Sequence, residues 1–198
     1  MFRLASSRLT AIPRIAAVRT KTTAAAAAPR VMTASLIKSL NGHANFELQS
    51  SQFYLSLAYW FDSQNFSGFA KYYKAQSEEE KTHALKMFDY LATRGETPHL
   101  TALPAPPVKH ASAAEALQAV LELEQTTTAG IHDLNSLALQ EGDPATSQFM
   151  QWFIAEQVEE EDTARRFLEE VKAYDRLPGL LYHMDHFMGK KAKKVGAE

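Results

Sequence analysis

The chain has 198 residues, 45% hydrophobic and 22% charged, with a formal net charge of -2, which suits one domain with a real core and gives no overall basic field for nucleic acid or an anionic membrane. Cysteine is absent, which excludes disulfides, thiolate zinc sites, iron–sulfur clusters and cysteine nucleophiles. No apolar run approaches the ~20 residues of a membrane-spanning helix, and the scarce Gly and Pro, 8 of each, gather at a few points, favouring long helices over a many-stranded sheet.

The first stretch stands apart. Arg3, Arg8, Arg14, Arg19, Lys21 and Arg30 fall within it, no acidic residue precedes Glu47, and residues 24–28 are a run of alanine. An arginine-spaced, acid-free segment rich in Ser and Thr has the composition of an organelle transit peptide. Residues 1–31 are therefore expected to be a transit peptide, with the mitochondrion as destination and the plastid as the alternative. Residues 32–198 are expected to be the mature domain. Removing the six basic residues up to Arg30 takes the formal charge from -2 to -8, an acidic balance that attracts cations.

Beyond Arg30 the punctuation predicts four long helices and a short fifth. The first runs from about Ser35 to Asp62, and Asn65 to Gly68 is a turn and restart. The second runs to about Arg94, ending at Gly95 with Pro98 beyond. Pro98, Pro104, Pro106 and Pro107 keep residues 96–111 out of helix and central strand. Ser112 and Glu115 form a capping box for a third helix reaching Gly142. Asp143 followed by Pro144 is an N-cap and first helical position for a fourth, to about Asp175. Pro178 and Gly179 break it before a short helix over 180–190. Short links after the first and third helices and a long one after the second predict an all-α four-helix bundle with one long crossover, the connectivity of ferritin-like folds.

Each long helix carries a polar residue in the middle of its apolar stripe, judged by i, i+3, i+4, i+7 spacing. Glu47 lies seven residues from both Leu40 and Tyr54. Glu80 sits among Phe69, Tyr73, Met87 and Leu91, with His83 three residues on. Glu124 is surrounded by Leu117, Val120, Leu121, Ile131 and Leu134. On the fourth helix Phe153, Ala164 and Phe167 flank Glu160, and Met150, Ile154 and Leu168 flank Gln157. One carboxylate buried alone is disfavoured by several kcal/mol, and several together raise one another's proton affinity. Divalent cations resolve both problems. Carboxylates with one imidazole and no thiolate suit iron or manganese, and Glu80 with His83 has the Glu-x-x-His spacing of di-iron bundles.

At these residues the chain resembles the non-haem, bacterial-type ferritins. The matching stretches are Asn45-Phe46-Glu47-Leu48 with Tyr54, then Glu79-Glu80-Lys81-Thr82-His83 and Phe88-Asp89-Tyr90-Leu91. Further on they are Leu123-Glu124-Gln125, then Gln151-Trp152-Phe153 with Glu156-Gln157-Val158-Glu159-Glu160-Glu161. The resemblance spans roughly residues 32–190. It implies a first iron site of Glu47, Glu80 and His83, and a second of bridging Glu80 with Glu124, Gln157 and Glu160. It also implies a third iron position involving Glu79, Glu156, Glu159 and Glu160. Tyr54 would be an electron donor beside the centre, and Glu80 with Tyr54 would carry the catalysis, while Trp152 is expected to serve packing.

The implied activity is ferroxidase and iron storage, with Fe(II) oxidised by O2 or H2O2 and deposited as mineral in a homo-oligomeric 24-subunit shell. Neither nucleic acid nor membrane is an expected partner. Gln157-x-x-Glu160 stands where di-iron enzymes and haem-containing relatives carry a second Glu-x-x-His, so the second site should hold iron less tightly. The alternatives are a di-iron oxygenase or peroxidase acting on an organic substrate, and a non-catalytic metal-binding bundle.

Overall fold

The computed structural model describes residues 32–174, 177, 179–193 and 195. The expected leader over residues 1–31 lies outside them, as do the residues at which the fourth helix was expected to end and break, Asp175 and Pro178. Five helices are formed: α1 (Ala34–Ser63), α2 (Ser67–Thr93), α3 (Ala113–Gln140), α4 (Pro144–Tyr174) and α5 (Leu180–Lys191), with no strand among the described residues. α1 packs on α2 and α3, α3 on α4, and α5 on α2 and α4.

Local chemistry sets the helix ends. The Thr33 side chain accepts from Leu36 N at 3.2 Å, and Ser112 Oγ accepts from Glu115 N at 3.1 Å, each satisfying one of the unpaired amides of a first turn. The capping box at α3 differs from its usual form in one bond. Glu115 Oε2 accepts from Ala111 N, at 2.8 Å, one residue earlier than the N-cap itself. Asp143 Oδ1 accepts from Thr146 N at 3.1 Å and so caps α4. α3 stops at Gln140, two residues short of the expected Gly142, which instead takes φ 66° in the turn.

The connectivity is the expected one. Asn41 Oδ1 accepts from His99 N at 2.6 Å, and Asn45 Nδ2 donates to His99 O at 2.8 Å. At the other end of α1, Ser56 Oγ donates to Pro107 O at 2.7 Å, and Trp60 meets His110 edge-on at 5.1 Å. The segment between α2 and α3 therefore runs the length of α1, fastened by its side chains. Thr33, before α1, hydrogen-bonds Glu141, after α3. Arg94, after α2, pairs with Asp143, before α4, at 2.8 Å. Those two fastenings make α1 antiparallel to α3 and α2 antiparallel to α4.

The buried apolar side chains form two clusters. One gathers Tyr54, Leu57, Phe61, Phe69, Tyr73, Leu117, Phe167 and Val171; the other gathers Leu36, Leu40, Met87, Leu91, Ile131, Leu134, Met150 and Phe153. Each such side chain contributes about 1.5–3 kcal/mol when fully buried, so each cluster can hold its end of the bundle. Between them, at mid-length, lie buried Glu47, Ser50, Gln76, Ser77, Glu80, His83, Glu124, Thr127 and Gln157. The core is interrupted by a polar belt.

Candidate metal centre

One face of each long helix supplies the belt. On α1, Glu47 follows Leu36, Leu40 and Ala44 and precedes Tyr54, all of them buried. On α2, Glu80 and His83 lie on the stripe that also buries Tyr73, Gln76, Ala84 and Met87. Glu124 holds the matching place on α3 and Gln157 on α4. Glu47 is 0% and Glu124 1% exposed, so neither can rely on bulk water for its charge.

Glu47, Glu80 and His83 each bring one donor atom within 4.8 Å of the others. His83 Nδ1 is 3.3 Å from Glu80 Oε2. Burial depresses the basicity of the His83 imidazole, with the Glu47 charge acting the other way, and a neutral ring is the form that binds a metal. Both carboxylate oxygens of Glu47 are buried without a hydrogen-bond partner. A buried acceptor left unpaired costs about 1–3 kcal/mol and more when charged, and a hard cation supplies what the protein does not.

Glu124 is arranged differently. Its Oε1 accepts from the Tyr54 hydroxyl, and its Oε2 accepts from Gln157 Nε2 at 3.1 Å. The same amide nitrogen lies 3.3 Å from Thr128 Oγ1, which leaves the Gln157 carbonyl oxygen as that side chain's remaining donor atom. Glu160 is half-buried, with Oε1 3.5 Å from Gln76 Nε2. Glu79 Oε2 accepts from the same Gln76 amide at 3.0 Å.

The carboxylates sense one another. Burial pushes Glu80 well above the ordinary carboxylate range, and the charges of Glu47, Glu124 and Glu160 push it further. Burial also raises Glu160, helped by Glu124 and Glu79. Glu124 is raised by burial to about 7, with the hydrogen bonds from Tyr54 and Gln157 opposing the shift. A bound cation would lower all three, because it favours the charged form of each carboxylate.

Of the third expected group, Glu79 and Glu156 come together with His83, again within 4.8 Å. Glu159 is exposed, one turn beyond Glu156 on α4. This group lines a cleft of about 470 Å³ between α2 and α4, with Lys86 and Trp152 beside it. Trp152 packs edge-on against His83 at 5.3 Å and carries Lys86 Nζ at 3.1 Å from its ring centre, consistent with its expected packing role. Two residues close to the carboxylates, Gln76 and His43, were not anticipated from the sequence. Gln76 is four residues before Glu80, and His43 is four residues before Glu47, so both share the carboxylates' stripes. His43 Nε2 lies 3.2 Å from Glu47 Oε1.

Similarity to known proteins follows the same residues. The Ferritin-like domain family matches residues 37–173. A bacterial non-heme ferritin of Staphylococcus saprophyticus is 37% identical over 131 residues, covering 66% of this chain and 78% of its own. That of Staphylococcus haemolyticus is 35% identical over 133 residues, covering 67% and 80%. An open-pore ferritin from the hyperthermophilic archaeon Archaeoglobus fulgidus superposes with a TM-score of 0.79 at 36% identity, over 80% of this chain and 97% of that one.

These relatives come from bacteria and an archaeon, cells without mitochondria or plastids, and they overturn the organelle location expected from residues 1–31. An acid-free run with spaced arginines specifies a positive charge density; it does not specify a compartment. Matched over residues 37–173 and aligned with bacterial ferritins along more than three-quarters of their length, the chain belongs to the ferritin family.

Proposed function

We propose that this ferritin stores iron by oxidising Fe(II) at a two-iron centre in the bundle and depositing the ferric product as mineral inside a 24-subunit homo-oligomer. The observation that carries the reading is the buried trio of Glu47, Glu80 and His83, with both Glu47 oxygens lacking a donor. In this reading the first Fe(II) binds Glu47, Glu80 and His83. The second binds Glu80, Glu124, the Gln157 carbonyl oxygen and Glu160. A third iron position uses Glu79, Glu156, Glu159 and Glu160, with Glu159 at its solvent edge.

The iron is substrate, and the chain's residues position it. Two Fe(II) ions held about 3.5–4 Å apart each give one electron to O2, which takes up two protons and leaves as H2O2. H2O2 can in turn accept two electrons from a further pair of Fe(II), with two protons, and leave as two molecules of water. Tyr54, whose hydroxyl donates to Glu124, would supply one electron in place of an iron's when the oxidant meets fewer Fe(II) than it needs, its proton passing to Glu124. The amide of Gln157 is a weaker ligand than imidazole, so oxidised iron leaves the second site readily, as passage to a mineral demands. The missing second Glu-x-x-His likewise speaks against an oxygenase that must retain both metals.

The test is aerobic addition of Fe(II) to the purified protein, followed by size-exclusion chromatography and iron analysis. An amber assembly of roughly half a megadalton, as 24 copies of a 22.1 kDa chain would give, holding far more than three irons per subunit, is the expected result. A monomer or dimer retaining two irons per subunit would instead mark a di-iron enzyme.

A further inference from the structure

We propose that His43 is an additional metal ligand, forming with Glu47 a cation-binding station on the α1–α3 side of the centre, through which Fe(II) reaches Glu47. The inference rests on the two-iron reading above and adds to it a residue and a direction of approach.

Three observations carry it. His43 is only 8% exposed, yet its Nε2 is buried without a hydrogen-bond partner. An unpaired nitrogen in a protein interior is costly unless a ligand engages it. That nitrogen faces the Glu47 carboxylate, 3.2 Å from Oε1 but outside hydrogen-bond alignment. Two donors bound to one cation at about 2.1 Å and at right angles stand about 3 Å apart. The pair has the spacing of co-ligands and lacks the geometry of donor and acceptor.

The third observation lies on the facing helix. A Cβ on Gly130 would stand 2.7 Å from His43 Nδ1 and 2.8 Å from Cε1, closer than non-bonded atoms tolerate. A glycine inside a helix costs about 1 kcal/mol relative to alanine, and here its missing side chain is the room the imidazole occupies. The two residues also line a cleft of about 410 Å³ with Ser39, Thr126 and Asp133, and Asp133 is exposed. The cleft thus joins an exposed carboxylate to a buried imidazole, and the imidazole Nε2 lies 3.2 Å from Glu47 Oε1, so each of the three is a ligand type for a divalent cation. The acidic cleft between α2 and α4 reaches His83 from the other side, so the two routes are distinct. Water completes the coordination at His43, as befits a station that passes its ion on.

Crystals of the full chain soaked anaerobically in Fe(II) alone would test this by anomalous scattering at the iron edge. The expected map has one peak between His43 Nε2 and Glu47 Oε1, in addition to a peak among Glu47, Glu80 and His83. A peak among Glu47, Glu80 and His83 with none at His43 overturns the present inference and leaves the two-iron reading standing. No peak at either place overturns both. In solution, H43Q should raise the Fe(II) concentration for half-maximal oxidation about tenfold, within the range seen when metal-supporting partners are lost. G130A keeps the histidine but displaces its ring, and should shift that concentration the same way. Helical circular dichroism equal to the parent's separates both effects from misfolding, and parental half-saturation in both folded variants would overturn the proposal.

Discussion

Asp185 on α5 caps α2 from outside that helix: its Oδ1 accepts from Gly68 N at 2.7 Å, and from the next amide, that of Phe69, at 2.9 Å. The residue before α2, Phe66, has no side chain able to do this. Two of the free amides of the first turn are satisfied by a side chain more than a hundred residues away, so α5 is bound to the bundle by a capping interaction as well as by Met184 and Met188.

Gly68→Ala should therefore release α5. An added Cβ would stand 1.7 Å from the Asp185 carbonyl oxygen, which is backbone and cannot rotate away. Overpacking of this kind costs about 1–3 kcal/mol, and Asp185→Ala, which removes only the cap, should cost about 1 kcal/mol. Hydrogen exchange over α5 reads the effect: faster exchange there in both variants, larger in Gly68→Ala, with α1 and α3 unchanged. Equal protection in variant and parent would show that the apolar contacts alone hold the helix.

Asp143 makes a pH-dependent contribution. Burial raises its carboxyl, but the Arg94 hydrogen bond and those from Thr146 outweigh it, and the net position is below the ordinary aspartate value. A carboxylate lowered in the folded state stabilises the protein at pH values above its unfolded value of about 3.9, and that contribution is lost as pH falls through the lower, folded value. Asp143→Ala should cost about 2 kcal/mol at pH 7, the sum of a helix cap and a partly buried ion pair. Urea denaturation from pH 7 down to pH 3 should show the gap between parent and variant closing only at the acid end. A gap that stays constant would mean the carboxylate charge is not what matters.

The polar belt predicts an exchange of function for stability. Glu80 is buried among the charges of Glu47, Glu124 and Glu160, so in the metal-free chain its carboxylate is repelled from three directions. Glu80→Gln keeps the shape and removes the charge. The apo variant should melt about 2–4 °C higher, corresponding to about 1 kcal/mol, while Fe(II) oxidation falls by at least tenfold because both proposed iron sites share this side chain. Calorimetry of apo protein and stopped-flow oxidation give the two halves. An apo variant that melts lower would mean that Glu80 is held by hydrogen bonds outweighing the repulsion.

The fold was legible because its signals are local. Gly95, Ser112, Asp143 and Gly179 mark helix ends whatever else the chain does, and the prolines between α2 and α3 leave a crossover as the one connection long enough to span the bundle. The carboxylates were legible because they violate the apolar period at the same depth on four helices. What escaped depends on pairs distant in sequence. Nothing near Gly130 says that its missing side chain makes room for His43, and nothing near Gly68 says that Asp185 will cap it. His83, at the junction of two donor groups, was assigned to one of them because helical spacing relates it to Glu80 and Glu79 but cannot show that Glu156 of α4 faces it.

Tyr54 offers the sharpest test of the chemistry at the centre. Its hydroxyl donates to Glu124 Oε1, and its ring is stacked on Tyr73 at 5.6 Å with an interplanar angle of 9°. Burial, then the charges of Glu124, Glu80 and Glu160, hold the phenol well above its ordinary range, so it stays a hydrogen-bond donor at every ordinary pH. Tyr54→Phe keeps the stacked ring and removes the donor, leaving Glu124 with Gln157 alone. The loss of one buried hydrogen bond to a carboxylate costs about 1–3 kcal/mol, which the melting curve should show. If the tyrosine also lends an electron, rapid freeze-quench of the parent with Fe(II) and O2 should reveal a tyrosyl signal by electron paramagnetic resonance, absent from the variant, and the first turnover of the variant should be slower. A variant whose melting point falls while its first turnover matches the parent's would confine Tyr54 to holding Glu124 in place.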